Sequence, residues 1–198
     1  MSQERKGGFV LTHGAGANAN APLLVAVDEA FTSAGFTVVR YNLPFRQKRP
    51  FGPPSPTGAA ADRAGLKEAV LRIREFGDGP VLLGGHSYGG RQASILLAEE
   101  PGLADGLILF SYPLHPPGKP AQLRTAHFPG LRTPCLFVHG TKDQFGTVEE
   151  MRAALALIPA PHELIPVQGA GHDLKKGRNE MLRHLLGRGG NAIPFALP

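Results

Sequence analysis

The order of apolar segments along the chain predicts an α/β fold, an open and mostly parallel six-stranded sheet with helices on both faces. Six short apolar runs, at residues 8–12, 36–41, 80–84, 106–110, 134–139 and 163–167, are largely continuous rather than alternating, as in strands covered on both sides. Segments with apolar residues at helical spacing lie between all of these runs except the fourth and fifth. The 26 glycines and 19 prolines fall mainly where one segment gives way to the next.

Taken in order, Gly8-Phe-Val-Leu-Thr12 reads as a buried strand that exits into the Gly-rich turn His13-Gly-Ala-Gly-Ala-Asn18. Residues 22–34 carry Leu24, Val27, Ala30 and Phe31 at helical spacing, and Gly35 can end a helix as a C-cap does. Phe36-Thr-Val-Val-Arg-Tyr41 is a β-branched, aromatic strand, and residues 42–57 are expected to form a long Pro-rich loop. A helix is predicted over 62–76, a buried strand over 80–84, a helix over 89–99 and a strand over 106–110. Residues 111–133 read as a second long loop, followed by strand 134–139, helix 148–157, strand 163–167 and helix 174–186. One domain is expected for the 198 residues, with its core at about 8–187 and an irregular tail over 188–198.

Composition narrows the class. Apolar residues make up 42% and charged residues 19%, a globular balance that argues against disorder or a fibrous chain. No run approaches the roughly 20 apolar residues that span a bilayer, and the polar start lacks the apolar stretch of a signal peptide. A cytoplasmic protein with no membrane association is therefore expected. Cys135 is the only cysteine and sits in an apolar strand, which suits a small core residue and a reducing compartment. The net charge is +5, but the basic residues near the C-terminus share an amphipathic helix pattern with Met181, Leu182 and Leu185. A solvated face explains them, and no nucleic-acid partner is expected.

In an open parallel sheet, ligands bind outside the carboxyl ends of the strands, so the chemistry belongs in the loops that leave strands. Strand 80–84 runs directly into Gly85-His-Ser-Tyr-Gly89, a G-x-S-x-G turn followed at once by a helix, the setting that exposes a serine hydroxyl. Ser87 is the candidate nucleophile. A serine needs a base to take its proton, and the base needs an acid to orient it. Strand 163–167 exits into Gln168-Gly-Ala-Gly-His172, so His172 is the candidate base; His162 precedes its strand and His184 sits on the last helix. Strand 134–139 exits into Gly140-Thr-Lys-Asp143, so Asp143 is the candidate acid, with Asp173 and Glu149 as alternatives and a simple turn or cap role as the competing explanation. Backbone N–H groups of Tyr88 and Ala15 are the candidate oxyanion donors, while His13 is expected to be structural. Such chemistry calls for no cofactor and no metal.

These segments, His13 to Asn18, Gly85 to Gly89, His139 to Asp143 and Gly169 to His172, resemble the α/β-hydrolase superfamily, and the resemblance runs from Gly8 to Leu186. More narrowly, the chain is similar to compact dienelactone-hydrolase-like proteins and to bacterial relatives of the testis-expressed hydrolase-like proteins, which share Arg40-Tyr-Asn-Leu-Pro-Phe45 and Gly89-Gly-Arg91. Dienelactone hydrolases proper use a cysteine nucleophile where this chain has Ser87, and some relatives of the second group act as scaffold components. The resemblance implies a minimal fold without the two N-terminal strands of larger members and without a lid.

An open cleft is then expected, walled by residues 42–57 and 111–133. Phe45, Phe51, Tyr112, Leu114 and Phe145 are candidate apolar lining, and Arg46, Lys48, Arg49 and Arg91 are candidates to attract an anionic group. The leading expectation is a serine esterase or thioesterase acting on a small-molecule substrate through an acyl-enzyme. A non-catalytic interaction module is the alternative, and transferase or peptidase chemistry on the same residues is a third.

Overall fold

The computed structural model describes residues 6–186, so the tail expected over 188–198 lies outside the described residues. Its six strands, β1 (Gly7–Thr12), β2 (Phe36–Tyr41), β3 (Val81–His86), β4 (Gly106–Phe110), β5 (Cys135–Gly140) and β6 (His162–Val167), form one sheet in the order β2-β1-β3-β4-β5-β6. Every pairing is parallel. The helices are α1 (Pro22–Ser33), α2 (Pro44–Lys48), α3 (Ala59–Arg74), α4 (Ser87–Glu99), α5 (Val148–Leu155) and α6 (Arg178–Leu186).

Side chains on a strand alternate between faces, and here both faces are apolar. Val10, Leu83, Leu107, Leu109 and Phe137 point to one side, where Leu66 and Val70 of α3, Leu96 and Leu97 of α4, and Met151 of α5 cover them. Phe9, Leu11, Leu82, Ile108, Leu136 and Val138 point to the other, against Leu24, Val27 and Phe31 of α1 and Met181 and Leu185 of α6. Burial on both faces is why these strands read as continuous apolar runs.

The helix after β1 and the helix after β3 thus pack on opposite faces, although their strands are neighbours. Their exits diverge and leave a crevice between them, the switch point at which open α/β sheets bind ligands. Registry keeps the exits level, with Thr12 opposite Gly85 and His86 opposite Phe110.

Three expectations need correcting. Residues 42–57 are not a plain loop: Pro44 starts the five-residue α2, because a proline at the first helical position loses no bond there. A helix from residue 174 is interrupted, since Leu174 (φ 47°) and Gly177 (φ 74°) are left-handed and α6 begins only at Arg178. Residues 111–115 turn inward rather than lining a cleft, with Tyr112 against Phe128 and Phe137 at ring separations of 5.3 and 5.9 Å, while residues 117–123 of the same segment are exposed. Cys135 is buried, and that burial pushes its thiol up to about 12. Among the described residues no helix is long and apolar enough to cross a membrane.

Candidate active site

Strand β3 passes into α4 with no residue between them, and the joint is Ser87 at φ 52°. A residue with a Cβ pays on the order of 1–3 kcal/mol for that left-handed conformation, and close packing around it maintains the strain. A Cβ at Gly89 would lie 2.4 Å from the His13 carbonyl oxygen, so only glycine lets the β1 exit loop press against the turn.

The other two candidates arrive from the exits of β5 and β6. His172 Nδ1 is 2.8 Å from Asp143 Oδ2, and His172 Nε2 is 2.8 Å from Ser87 Oγ. A carboxylate only accepts, so Nδ1 carries the proton and donates, which leaves Nε2 to accept the Ser87 hydroxyl. Asp143 is 6% exposed and also accepts the Phe145 N–H through Oδ1. Burial opposes its charge, yet the hydrogen bond and charge of His172 and the Phe145 amide outweigh it and hold the carboxyl below its ordinary value. The alternatives lie elsewhere: Asp173 caps the following turn through the Lys175 amide, and Glu149 pairs with Arg152 on α5.

Neighbouring rings fix the imidazole. Phe145 faces it with centroids 4.2 Å apart and planes inclined at 36°. His86 Nε2 donates to the His172 carbonyl at 2.8 Å. Burial lowers His86 to about 4, so it remains a neutral donor near pH 7.

Of the two amides expected as oxyanion donors, that of Tyr88 directly follows Ser87 in the chain and that of Ala15 directly follows Gly14 in the β1 exit loop. Tyr88 N–H lies in the first turn of α4, where no intrahelical acceptor exists. The orientation of Ala15 N–H follows from the peptide before it. Gly14 O accepts from His13 Nδ1 at 2.8 Å and from Ala17 N at 3.1 Å. In a trans peptide N–H and C=O point opposite ways, so Ala15 N–H faces away from both donors. The loop packs close to the serine, for a Cβ at Gly14 would stand 3.4 Å from Ser87 Cβ. His13 is structural, as its sequence setting suggests: Nδ1 donates to Gly14 and Nε2 accepts the Leu43 N–H at 3.2 Å.

The lining candidates divide. Phe145 stands half-buried beside His172, and Phe51 is 83% exposed. Phe45 is a supporting residue, wedged between the rings of His13 and Tyr88. Tyr112 and Leu114 are 1% and 0% exposed, so neither lines a cleft; their strand-exit position does not reveal that this segment folds into the core. Arg46 is no surface cation either. It is buried, and donates to the carbonyls of Ala15, Ala17, Arg49 and Gly52.

Asp62 was not singled out in the sequence. It is fully buried and accepts both the Phe45 N–H at 3.0 Å and the Tyr88 hydroxyl at 2.8 Å. The available signal was a lone carboxylate opening a helix otherwise led by alanines.

A parallel sheet with a strained serine at a switch-point exit, hydrogen-bonded to a histidine and aspartate from two further exits, defines the α/β-hydrolase class of architecture. The sequence model of the Alpha/beta hydrolase domain family matches residues 5–185, and the chain belongs to that family. Among solved structures it is similar to an alpha-beta serine hydrolase homologue from Coxiella burnetii, at 22% identity and TM-score 0.71, covering 93% of this chain and 85% of that one. It is also similar to a dienelactone hydrolase from Anabaena variabilis, at 18% identity and TM-score 0.70, covering 91% and 83%. A lidless a/b serine hydrolase from Xanthomonas campestris aligns at 16% identity and TM-score 0.69, covering 91% and 81%.

Proposed function

We propose that the protein is a serine hydrolase that cleaves carboxylic esters or thioesters of small molecules. The observation that carries this reading is His172, whose two ring nitrogens each lie 2.8 Å from a partner, Ser87 Oγ on one side and Asp143 Oδ2 on the other. In the reaction Ser87 Oγ attacks the acyl carbonyl carbon while His172 Nε2 takes the hydroxyl proton. The Asp143 carboxylate stabilises the resulting imidazolium without itself taking the proton. The amides of Tyr88 and Ala15 receive the developing oxyanion. His172 then returns the proton to the leaving alcohol or thiol, and the acyl group stays on Ser87. Water, deprotonated by His172, attacks the acyl carbon, and as the Ser87 Oγ–acyl bond breaks His172 returns that proton to Oγ and the acid leaves. An interaction surface has no use for a serine held at φ 52°, which disfavours a purely scaffolding role.

A panel of p-nitrophenyl esters and acyl thioesters of graded chain length tests this function. Turnover of at least one series is expected, with loss of nearly all activity in Ser87→Ala. Absence of turnover across the panel, or equal turnover by Ser87→Ala, would rule the reading out.

A further inference from the structure

Asp62 of α3 is fully buried, and among the described residues no lysine, arginine or histidine forms an ion pair with it. A carboxylate taken out of water without a cation is costly, and an apolar side chain would fill the same space at less cost. Its two oxygens go to two neutral donors instead, the Tyr88 hydroxyl on Oδ2 at 2.8 Å and the Phe45 N–H on Oδ1 at 3.0 Å.

Each donor begins an arm that ends at one of the two oxyanion amides. Tyr88 carries the first amide itself, so the hydroxyl contact fixes the far end of the residue whose N–H follows Ser87. Phe45 belongs to α2, and Leu43, the residue that caps the start of that helix, donates its N–H to His13 Nε2 at 3.2 Å. His13 Nδ1 in turn donates at 2.8 Å to Gly14 O, the carbonyl of the same peptide that carries the Ala15 N–H. Burial lowers His13 from its ordinary value, so the ring stays neutral and Nε2 can accept. The Phe45 ring braces the two arms, 5.6 Å from the ring of His13 and 5.8 Å from that of Tyr88.

We propose that Asp62 is the positioning residue of the oxyanion site: by holding the Tyr88 ring and the start of α2 on one carboxylate, it sets the spacing of the Tyr88 and Ala15 amides. This rests on the serine-hydrolase reading above, and adds to it the group that keeps both donors aimed at the transition state. Asparagine at this position presents an amino group where one carboxylate oxygen stood, so it cannot serve both donors in place and one arm lets go.

The test compares the best-cleaved p-nitrophenyl ester of the series above with its thiono analogue, in which sulfur replaces the carbonyl oxygen. Sulfur is larger and a weaker hydrogen-bond acceptor, so it gains less from well-placed amides, and the oxygen-over-sulfur ratio of kcat/KM reports their alignment. In Asp62→Asn, kcat for the oxygen ester is expected to fall about ten-fold with little change in KM, and the ratio to fall about five-fold. Tyr88→Phe cuts the ring arm alone, retains the carboxylate, and should lower the ratio about three-fold. Loss of folded enzyme lowers turnover of both esters together and leaves the ratio where it was. An unchanged ratio in Asp62→Asn, or in Tyr88→Phe where Asp62→Asn does not fold, overturns the positioning role and leaves the hydrolase reading standing. A wild type that cleaves no ester of the series overturns both.

Discussion

Arg46 Nη2 donates to the Ala15 carbonyl at 2.8 Å, across 31 residues of sequence. The same guanidinium reaches Ala17, Arg49 and Gly52 and lies 4.9 Å from the centre of the Phe45 ring. Most buried arginines answer a carboxylate. This one ties the β1 exit loop, which carries the Ala15 amide, to the segment around α2.

Arg46→Ala removes the charged donor from four carbonyls at once. It is expected to destabilise the fold by at least about 2 kcal/mol in urea titration. With the loop loosened, kcat should fall about ten-fold with little change in KM, because the oxyanion contact forms only in the transition state. Arg46→Lys should not restore either quantity, as one ammonium cannot span the fork of acceptors.

Asp143→Asn keeps the size of the side chain and loses its charge, so kcat should drop about 10³- to 10⁴-fold. The carboxyl is held below its ordinary value near 3.8 in the folded state, so its stabilising contribution is present above that value and is lost as pH falls through the lower folded one. The stability gap between wild type and Asp143→Asn, read from urea midpoints, should therefore be wide at pH 7 and close in strong acid.

His86 and His127 are both lowered from about 6.5 to about 4 by burial. Between those values the unfolded chain takes up protons that the native state refuses, so stability is full above 6.5 and declines as pH drops toward 4. His127→Gln retains a partner for Ser94 and cannot titrate. Its urea midpoint should decline less steeply than that of wild type across this window; an unchanged slope would contradict the assignment.

Two glycines, Gly89 in the first turn of α4 and Gly16 in the β1 exit loop, should respond unequally to alanine. At Gly89 the new Cβ meets the His13 carbonyl oxygen at 2.4 Å, a backbone atom with nowhere to move, and a loss of about 3 kcal/mol is expected together with loss of activity. At Gly16 nothing lies within 4 Å, and Gly16→Ala should change stability by about 0.5 kcal/mol or less. Thermal melts of the two variants make the comparison.

The sheet was readable because its pattern is local. Residues 36–41 and 106–110 form β2 and β4 with the bounds their apolar runs suggest. The juxtaposition of Ser87, His172 and Asp143 was also anticipated, since strand exits of a parallel sheet must share one edge. Whether a loop residue points inward is not a local property, and here the sequence misled. Tyr112 and Leu114 follow a strand exactly as lining residues do, yet contacts with Phe128 and Phe137, from later in the chain, draw Tyr112 into the core. Arg46 in a basic stretch looks solvated until the carbonyls it serves, as far away as Ala15, are folded around it. Helix α2 is too short, at five residues, to display a period.

The central claim is that Ser87 is an activated nucleophile, and covalent labelling with a fluorophosphonate probe tests it most directly. Intact-mass and peptide analysis should find one adduct, on Ser87, in the wild-type protein and none in Ser87→Ala. A wild-type protein that stays unlabelled, or an adduct that persists in Ser87→Ala, would contradict the account.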